Sequence, residues 1–314
     1  MDPVKLCGQR QAGILLLTLA AGLLAVSPAA DAFDRTKTKP RKPLLLEQGY
    51  SAPNLAVNPS LSTFRGVETG SPSLLAANPR SQGLQAMLSD SSPDWEIQWD
   101  ARSDRPHLVQ GAGFPLLPGA GNLMAHGEAG LRSDRDVELS DVEGLVRGFM
   151  DRYPDVLRVD QSTLRLDPTR SAAAGNGRVW FVELQQFHEG VPVEDANVFF
   201  RINNGNIIQF GADRIGDVSV TMVPRSDRPK VFRRLLRKLG IDRSELSEIV
   251  NEGTLKIYPT LTAGEEGGHA FTGRPGTGYA HRLVWEFVFR RVDDATTYKA
   301  AVDPTPASWC RSST

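Results

Sequence analysis

Cysteine is nearly missing from this chain. Only Cys7 and Cys310 occur among 314 residues. Cys7 lies inside an export-like N-terminus and leaves with it, so the mature chain retains only Cys310, four residues from the end. An internal disulfide and a thiolate metal site are thereby excluded. A unit of about 100 residues buries enough core without such staples. An excess of charge of one sign is missing too. Thirty-six Lys and Arg face 37 Asp and Glu, for a net charge of −1. Nucleic-acid-binding domains carry a marked basic excess, so that class is not expected. The longest apolar run, "AGILLLTLAAGLLAV" at 12–26, falls short of the ~20 residues of a membrane-spanning helix.

Catalytic patterns are equally scarce. The five histidines are His107, His126, His188, His269 and His281, and no two stand four apart. The H-E-x-x-H helix of a zinc peptidase is therefore absent. "HEG" at 188–190 has the right first letters, but its glycine belongs to a turn. His269 falls in a glycine-rich loop and His281 at a strand start. There is no G-x-S-x-G, and "GRPGTG" at 273–278 lacks the Lys-Ser/Thr that completes a phosphate loop. Glu194 with Asp195, and Asp293 with Asp294, are adjacent turn residues. Neighbouring side chains do not face each other as the carboxylates of a glycosidase must. No catalytic, cofactor-binding or metal-binding residue is assigned.

What is present begins with a signal peptide over 1–32. Lys5 and Arg10 precede the apolar run, and "SPAADA" offers cleavage after Ala29 or Ala32. A secreted or periplasmic location is expected. Residues 33–94 are rich in Ser, Pro, Asn and Ala without periodicity, and read as a disordered leader or linker. Order is expected from Trp95. "WEIQWDARSDRPHLVQG" alternates with period two and turns back, a β-hairpin. Gly111 to Gly127 reads as loop.

"LSDVEGLVRGFMDRYP" is a helix. Val142, Leu145, Val146, Phe149, Met150 and Tyr153 recur at helical spacing, Ser140 with Glu143 matches a capping box, and Pro154 ends it. Strands follow at 162–167 and 178–187. "VPVEDANVFFRIN" continues, with Pro192 marking an edge or bulge. Asn204-Gly205 is a type I′ hairpin turn into "NIIQFG". A second unit starts near Pro224. It holds the basic amphipathic helix "RPKVFRRLLRKLG", a shorter helix in "DRSELSEIVNEG", and strands in "TLKIYP", "YAHRLVWEFVFRRV" and "YKAAVD". The fold class is α+β: two units, each an antiparallel sheet packed by one or two helices.

"QQFHEGVPVEDANVFFRINNGNIIQF" resembles the propeptide domain of fungalysin- and thermolysin-type peptidases. The helix at 141–153 and the hairpin at Trp95 match that domain's neighbouring elements. The second unit is similar to a PepSY domain. The resemblance covers 95–303, divided at 222/223, with residues 304–314 left as an anomalous tail. It implies the pro-region of a secreted zinc metallopeptidase, serving as chaperone and inhibitor of a catalytic domain that this sequence does not contain. Zinc would belong to that domain, so this chain needs no cofactor, and its partner would be the peptidase in cis or in trans. The alternative is a free-standing secreted module that inhibits or escorts a separate peptidase or binds a cell-envelope ligand. Residues 304–314 are also compatible with a frame shift that restores a family-like continuation.

Overall fold

The computed structural model describes residues 67–70, 82–89, 95–262, 271, 273–292 and 296–304. The signal peptide, the first half of the leader, His269 and residues 305–314 of the tail lie outside them. The fold is α+β, dominated by antiparallel strands. The chain divides into two compact units, and the larger joins 58–225 to 255–285.

In the larger unit, strands β1 (Val67–Gly70), β2 (Trp95–Asp100) and β3 (Arg105–Pro115) are neighbours. Short β4 (Leu164–Leu166) and β5 (Ala172–Ala174) both pair with β6 (Val179–His188). β6, β7 (Val191–Asn203) and β8 (Asn206–Asp213) form an antiparallel meander. β3 pairs with β8, which closes the order β1-β2-β3-β8-β7-β6. β9 (Leu246–Leu261) touches β7 in parallel through Val193 and Ile257, and β10 (Tyr279–Arg291) follows it.

Helix α1 (Gln82–Ser89) precedes β2. Helix α2 (Leu139–Arg152) lies against the inner sheet face, and the single turn α3 (Pro154–Leu157) follows it. Alternation along each strand sends Ile97, Val109, Val198, Phe200 and Phe210 to that face, all fully buried. Val142, Val146, Phe149 and Met150 meet them from α2. Phe149 is the centre, with ring centroids 5.5 Å from Phe114, 5.2 Å from Tyr153, 5.8 Å from Phe200 and 5.5 Å from Phe210. Edge-on packing of this kind adds to the hydrophobic gain.

The smaller unit includes 226–254 and 286–302. Its helix α4 (Arg228–Leu239) starts at Asp227, whose side chain accepts from the Lys230 N–H, and ends at Gly240 in the left-handed region. Phe232 stacks on Phe287 at 4.9 Å, beside Phe289. Phe289 stacks on Tyr298 of β11 (Thr297–Val302).

Several expectations need correction. The leader contributes structure: β1 pairs with β2, and α1 buries Leu84, Met87 and Leu88, which share one helical face. The stretch read as loop from Gly111 is strand as far as Pro115, because a bulge between Gln110 and Phe114 absorbs Gly113 at φ 117°. The cap of α2 is Glu138 with Asp141, since the helix starts at Leu139. Glu143 instead pairs with Arg147. "DRSELSEIVNEG" is not a helix. Asp242 and Glu245 do form a capping box, but it caps only the 3-10 turn Arg243–Glu245. Exposure then alternates from Ile249 to Thr254 as strand β9. The boundary at 222/223 falls at 225/226, and residues 255–285 cluster with the larger unit.

Phe149→Ala is expected to cost roughly 3–5 kcal/mol in denaturant unfolding, the range for truncating a buried aromatic. A loss below about 1 kcal/mol would mean that α2 is not the centre of this core.

Candidate interaction surface

The sheet's outer face is polar and ordered. Gln110 Nε2 donates to Glu96 Oε2 at 2.6 Å, and Gln209 Nε2 donates to Gln110 Oε1 at 3.1 Å. Arg201, beside Gln209 in register, donates to the buried Glu183. Its guanidinium lies 5.4 Å from the Phe181 ring centroid and 5.2 Å from that of Phe199. Asn197 also donates to Glu183, whose backbone N–H donates to Ser171 Oγ. The result is a fixed ribbon across β2, β3, β8, β7 and β6, ending in the part-exposed Phe181.

A second polar cluster surrounds the β2–β3 turn. Asp100 accepts from the Arg102 N–H at 2.9 Å and from the Tyr279 hydroxyl at 3.0 Å. Asp104, at φ 56°, accepts from Trp99 Nε1 at 3.3 Å and from Arg158 at 3.2 Å. Arg105 donates to the carbonyls of Ser103, Arg158 and Ile215. Both carboxylates are engaged from two sides, which holds a turn rather than poising a base. Burial, then the Asp100 charge and hydrogen bond, push the Tyr279 hydroxyl up from its ordinary value.

Nearby, His107 Nδ1 lies 3.7 Å from Asp213 Oδ1. That is ion-pair distance, yet burial is the largest influence on each and acts against both charges. It lowers the His107 imidazole and pushes the Asp213 carboxyl up to about 6, despite the opposing pull of Arg214 on Asp213.

The described histidines lie on different elements. His126 is exposed in the loop before α2, His188 ends β6, His107 is on β3 and His281 on β10. His281 is lowered by burial first and then by the charge of His188. Its Nε2 and Gln186 Oε1 are buried without hydrogen-bond partners, while Gln186 Nε2 donates to the Gly216 carbonyl. Among the described residues no group of three or more His, Cys, Asp or Glu has an arrangement that could hold a metal. A cavity of about 260 Å³ between α2, α3 and the next turn is lined by Tyr153, Leu157, Arg158, Asp160 and Gln161 among others. Ser162, also on its wall, donates to Asp160, with no histidine among the lining residues. No helix among the described residues is long and apolar enough to cross a membrane.

The feature that sequence reasoning passed over is the segment 116–131. Its first part, 116–122, is wrapped onto the β7–β8 turn, where Asn204 and Gly205 take φ 48° and 91°. Leu116 and Leu117 donate their N–H groups to Gly205 O at 3.0 and 3.1 Å, and Gly121 donates to Asn204 O at 2.9 Å. Asn122 Nδ2 donates to Leu117 O at 3.0 Å and to Asn206 Oδ1 at 2.9 Å, while Asn206 Nδ2 donates to Gly121 O at 2.9 Å. A Cβ at Gly205 would stand 2.4 Å from Leu117 O. The signal was the pair Asn122 and Asn206, but their contact spans 84 residues and has no local pattern.

Against protein-family models and curated protein sequences the chain finds no match.

Two outcomes are expected. Gly205→Val should lower stability by about 1 kcal/mol or more, from the positive φ and the blocked contact, as read by thermal unfolding; an unchanged midpoint would refute the wrap. Asp213 has a folded-state pKa above its unfolded one. Its contribution is complete below about pH 4 and is lost as pH rises through about 6. Asp213→Asn should therefore raise the unfolding midpoint at pH 7.5, by on the order of 2–3 kcal/mol of stability, with the gain shrinking towards pH 4. A gain independent of pH would contradict the assignment.

Proposed function

We propose that this chain is the pro-region of a secreted zinc metallopeptidase, assisting the folding of the catalytic domain and inhibiting it until release. The observation that carries the reading is the segment 185–211. Its aromatic-ended strand, Gly-Val-Pro-Val start, alternating strand, Asn-Gly turn and return strand form the β6-β7-β8 meander, with α2 packed behind. That is the arrangement the resemblance implies. The register shift beside Gln185 and the pairing of Phe187 with Pro192 accommodate the proline at the hairpin start.

The outer ribbon suits docking against a folded domain. Its side chains are already fixed by one another, so little rotamer entropy is lost on association. The signal-like N-terminus places the protein outside the cytoplasm in this reading. The same surface would serve a free-standing module that inhibits or escorts a separate peptidase, and the wrapped 116–131 segment suits either arrangement.

The test uses the full chain and a thermolysin- or fungalysin-type catalytic domain. Refolding the denatured catalytic domain with the chain present should raise the recovered activity once the chain is removed. Adding the chain to the native catalytic domain should suppress peptide hydrolysis. Unchanged yield together with unchanged hydrolysis would overturn the proposal.

A further inference from the structure

Helix α4 carries six cations in its 12 residues, Arg228, Lys230, Arg233, Arg234, Arg237 and Lys238, and no acid. Its two sides are sharply separated. Val231, Phe232, Leu235, Leu236 and Leu239 are buried, and Phe232 meets Phe287 and Phe289 there. At about 100° per residue, Lys230, Arg233, Arg234 and Arg237 fall in an arc opposite that stripe. Lys230, Arg233 and Arg237 are exposed, and none of the three has a carboxylate partner among the described residues. Arg228, at the helix start, lies 3.8 Å from Glu252.

This arrangement opposes the helix that carries it. Lys230 stands three residues before Arg233 and four before Arg234, and Arg233 stands four before Arg237. Like charges at those spacings face each other and repel. Lys230 is also in the first turn, which holds no acid, so the helix dipole works against it. Arg237 and Lys238, in the last turn, suit the dipole. The dipole therefore accounts for the C-terminal pair and not for the N-terminal half of the row. A surface of mixed sign would keep the chain soluble without this repulsion. A facing anion relieves the whole row.

We infer that the exposed face of α4 is a docking surface for an anionic phospholipid membrane, held at headgroup level. The sign of the charge selects an anion. Arginine outnumbers lysine in the row, and its planar fork engages two phosphate oxygens at once. A helix face is a convex ridge, which touches a flat field of headgroups along its length, about 10 Å from Lys230 to Arg237. Every Val, Leu and Phe of the helix is on the buried side, so the contact is electrostatic and does not reach the acyl chains. Protein interfaces centre on aromatic or aliphatic anchors, and single-stranded nucleic acid is held by stacking on aromatic rings. The exposed side of α4 has neither, which favours lipid over those polyanions. This docking is independent of the pro-region reading.

The experiment mixes the full chain with vesicles of phosphatidylcholine, and of phosphatidylcholine with phosphatidylglycerol, and reads the fraction that sediments with lipid. The excess on the anionic vesicles is the signal, because adsorption through the apolar run at 12–26 occurs on both. Lys230→Gln with Arg233→Gln and Arg237→Gln should cut that excess about 100-fold, at roughly fivefold per cation. Arg233→Lys with Arg237→Lys keeps the charge and should retain most of it. Arg178→Gln with Arg274→Gln and Arg282→Gln removes the same charge from exposed positions outside the helix and should leave the excess nearly unchanged. Between about 0.1 and 1 M salt the excess should vanish, as the screening length falls from about 10 to 3 Å. Thermal unfolding checks the fold. Relief of repulsion should let the triple helix variant melt with the wild type or above it; should it unfold, Arg237→Gln alone carries the test, at about fivefold. No excess with the wild type, an equal loss in the variant outside the helix, or unchanged binding by the helix variant would each overturn the inference. So would tighter binding, at matched salt, to poly-glutamate or duplex DNA than to the anionic vesicles, which would assign the face to an acidic protein or a nucleic acid.

Discussion

The packing of Phe149 between the strands and the next helical turn is the constraint from which the larger unit's organisation follows. Phe114, Phe200 and Phe210 reach it from β3, β7 and β8, and Tyr153 reaches it from the end of its own helix. One helix therefore sets which face of the sheet is inner. With side chains alternating along each strand, the other face of β2, β3, β8, β7 and β6 is obliged to present its own set to solvent. A one-residue slip in any of these strands would exchange the two faces. The bulges at Gln110/Phe114 and Arg201/Ile202 are where the strands adjust register while keeping Phe210 and Phe200 inside.

The outer face carries the functional argument. Glu183 is a buried carboxylate on a sheet surface, held by Arg201 and Asn197. Replacing such a pair with apolar residues is often neutral for stability. Here the pair keeps this face polar and its side chains fixed. The Phe181–Arg201–Phe199 stack serves the same end, because a guanidinium between two rings has little freedom left. The wrapped loop repeats the principle, with Asn122 and Asn206 doing with amides what Arg201 does with charge.

Elements with a local period were legible in the sequence. The stripe from Val142 to Tyr153, the alternation of Trp95, Ile97 and Trp99, and the Asn204-Gly205 turn all appear where the pattern put them. The misreadings share a cause. "DRSELSEIVNEG" begins with a genuine capping box, and nothing local says that only one 3-10 turn will follow before sheet pairing takes over. Leu84, Met87 and Leu88 sit in a segment whose Ser-, Pro- and Asn-rich composition masked a short amphipathic helix. The candidate surface was least visible. Arg201, Glu183 and Gln110 are ordinary polar strand residues until the strand order brings them into one row.

The proposed docking of a peptidase domain on the outer sheet face and the 116–131 segment has a direct test. Hydrogen exchange of the full chain, with and without a thermolysin- or fungalysin-type catalytic domain, tests it most directly. Slowed exchange is predicted in the 117–131 backbone and along β2, β6 and β7 where the ribbon runs. Protection confined to α4, or no change in either region under conditions where the two proteins are bound, would contradict it.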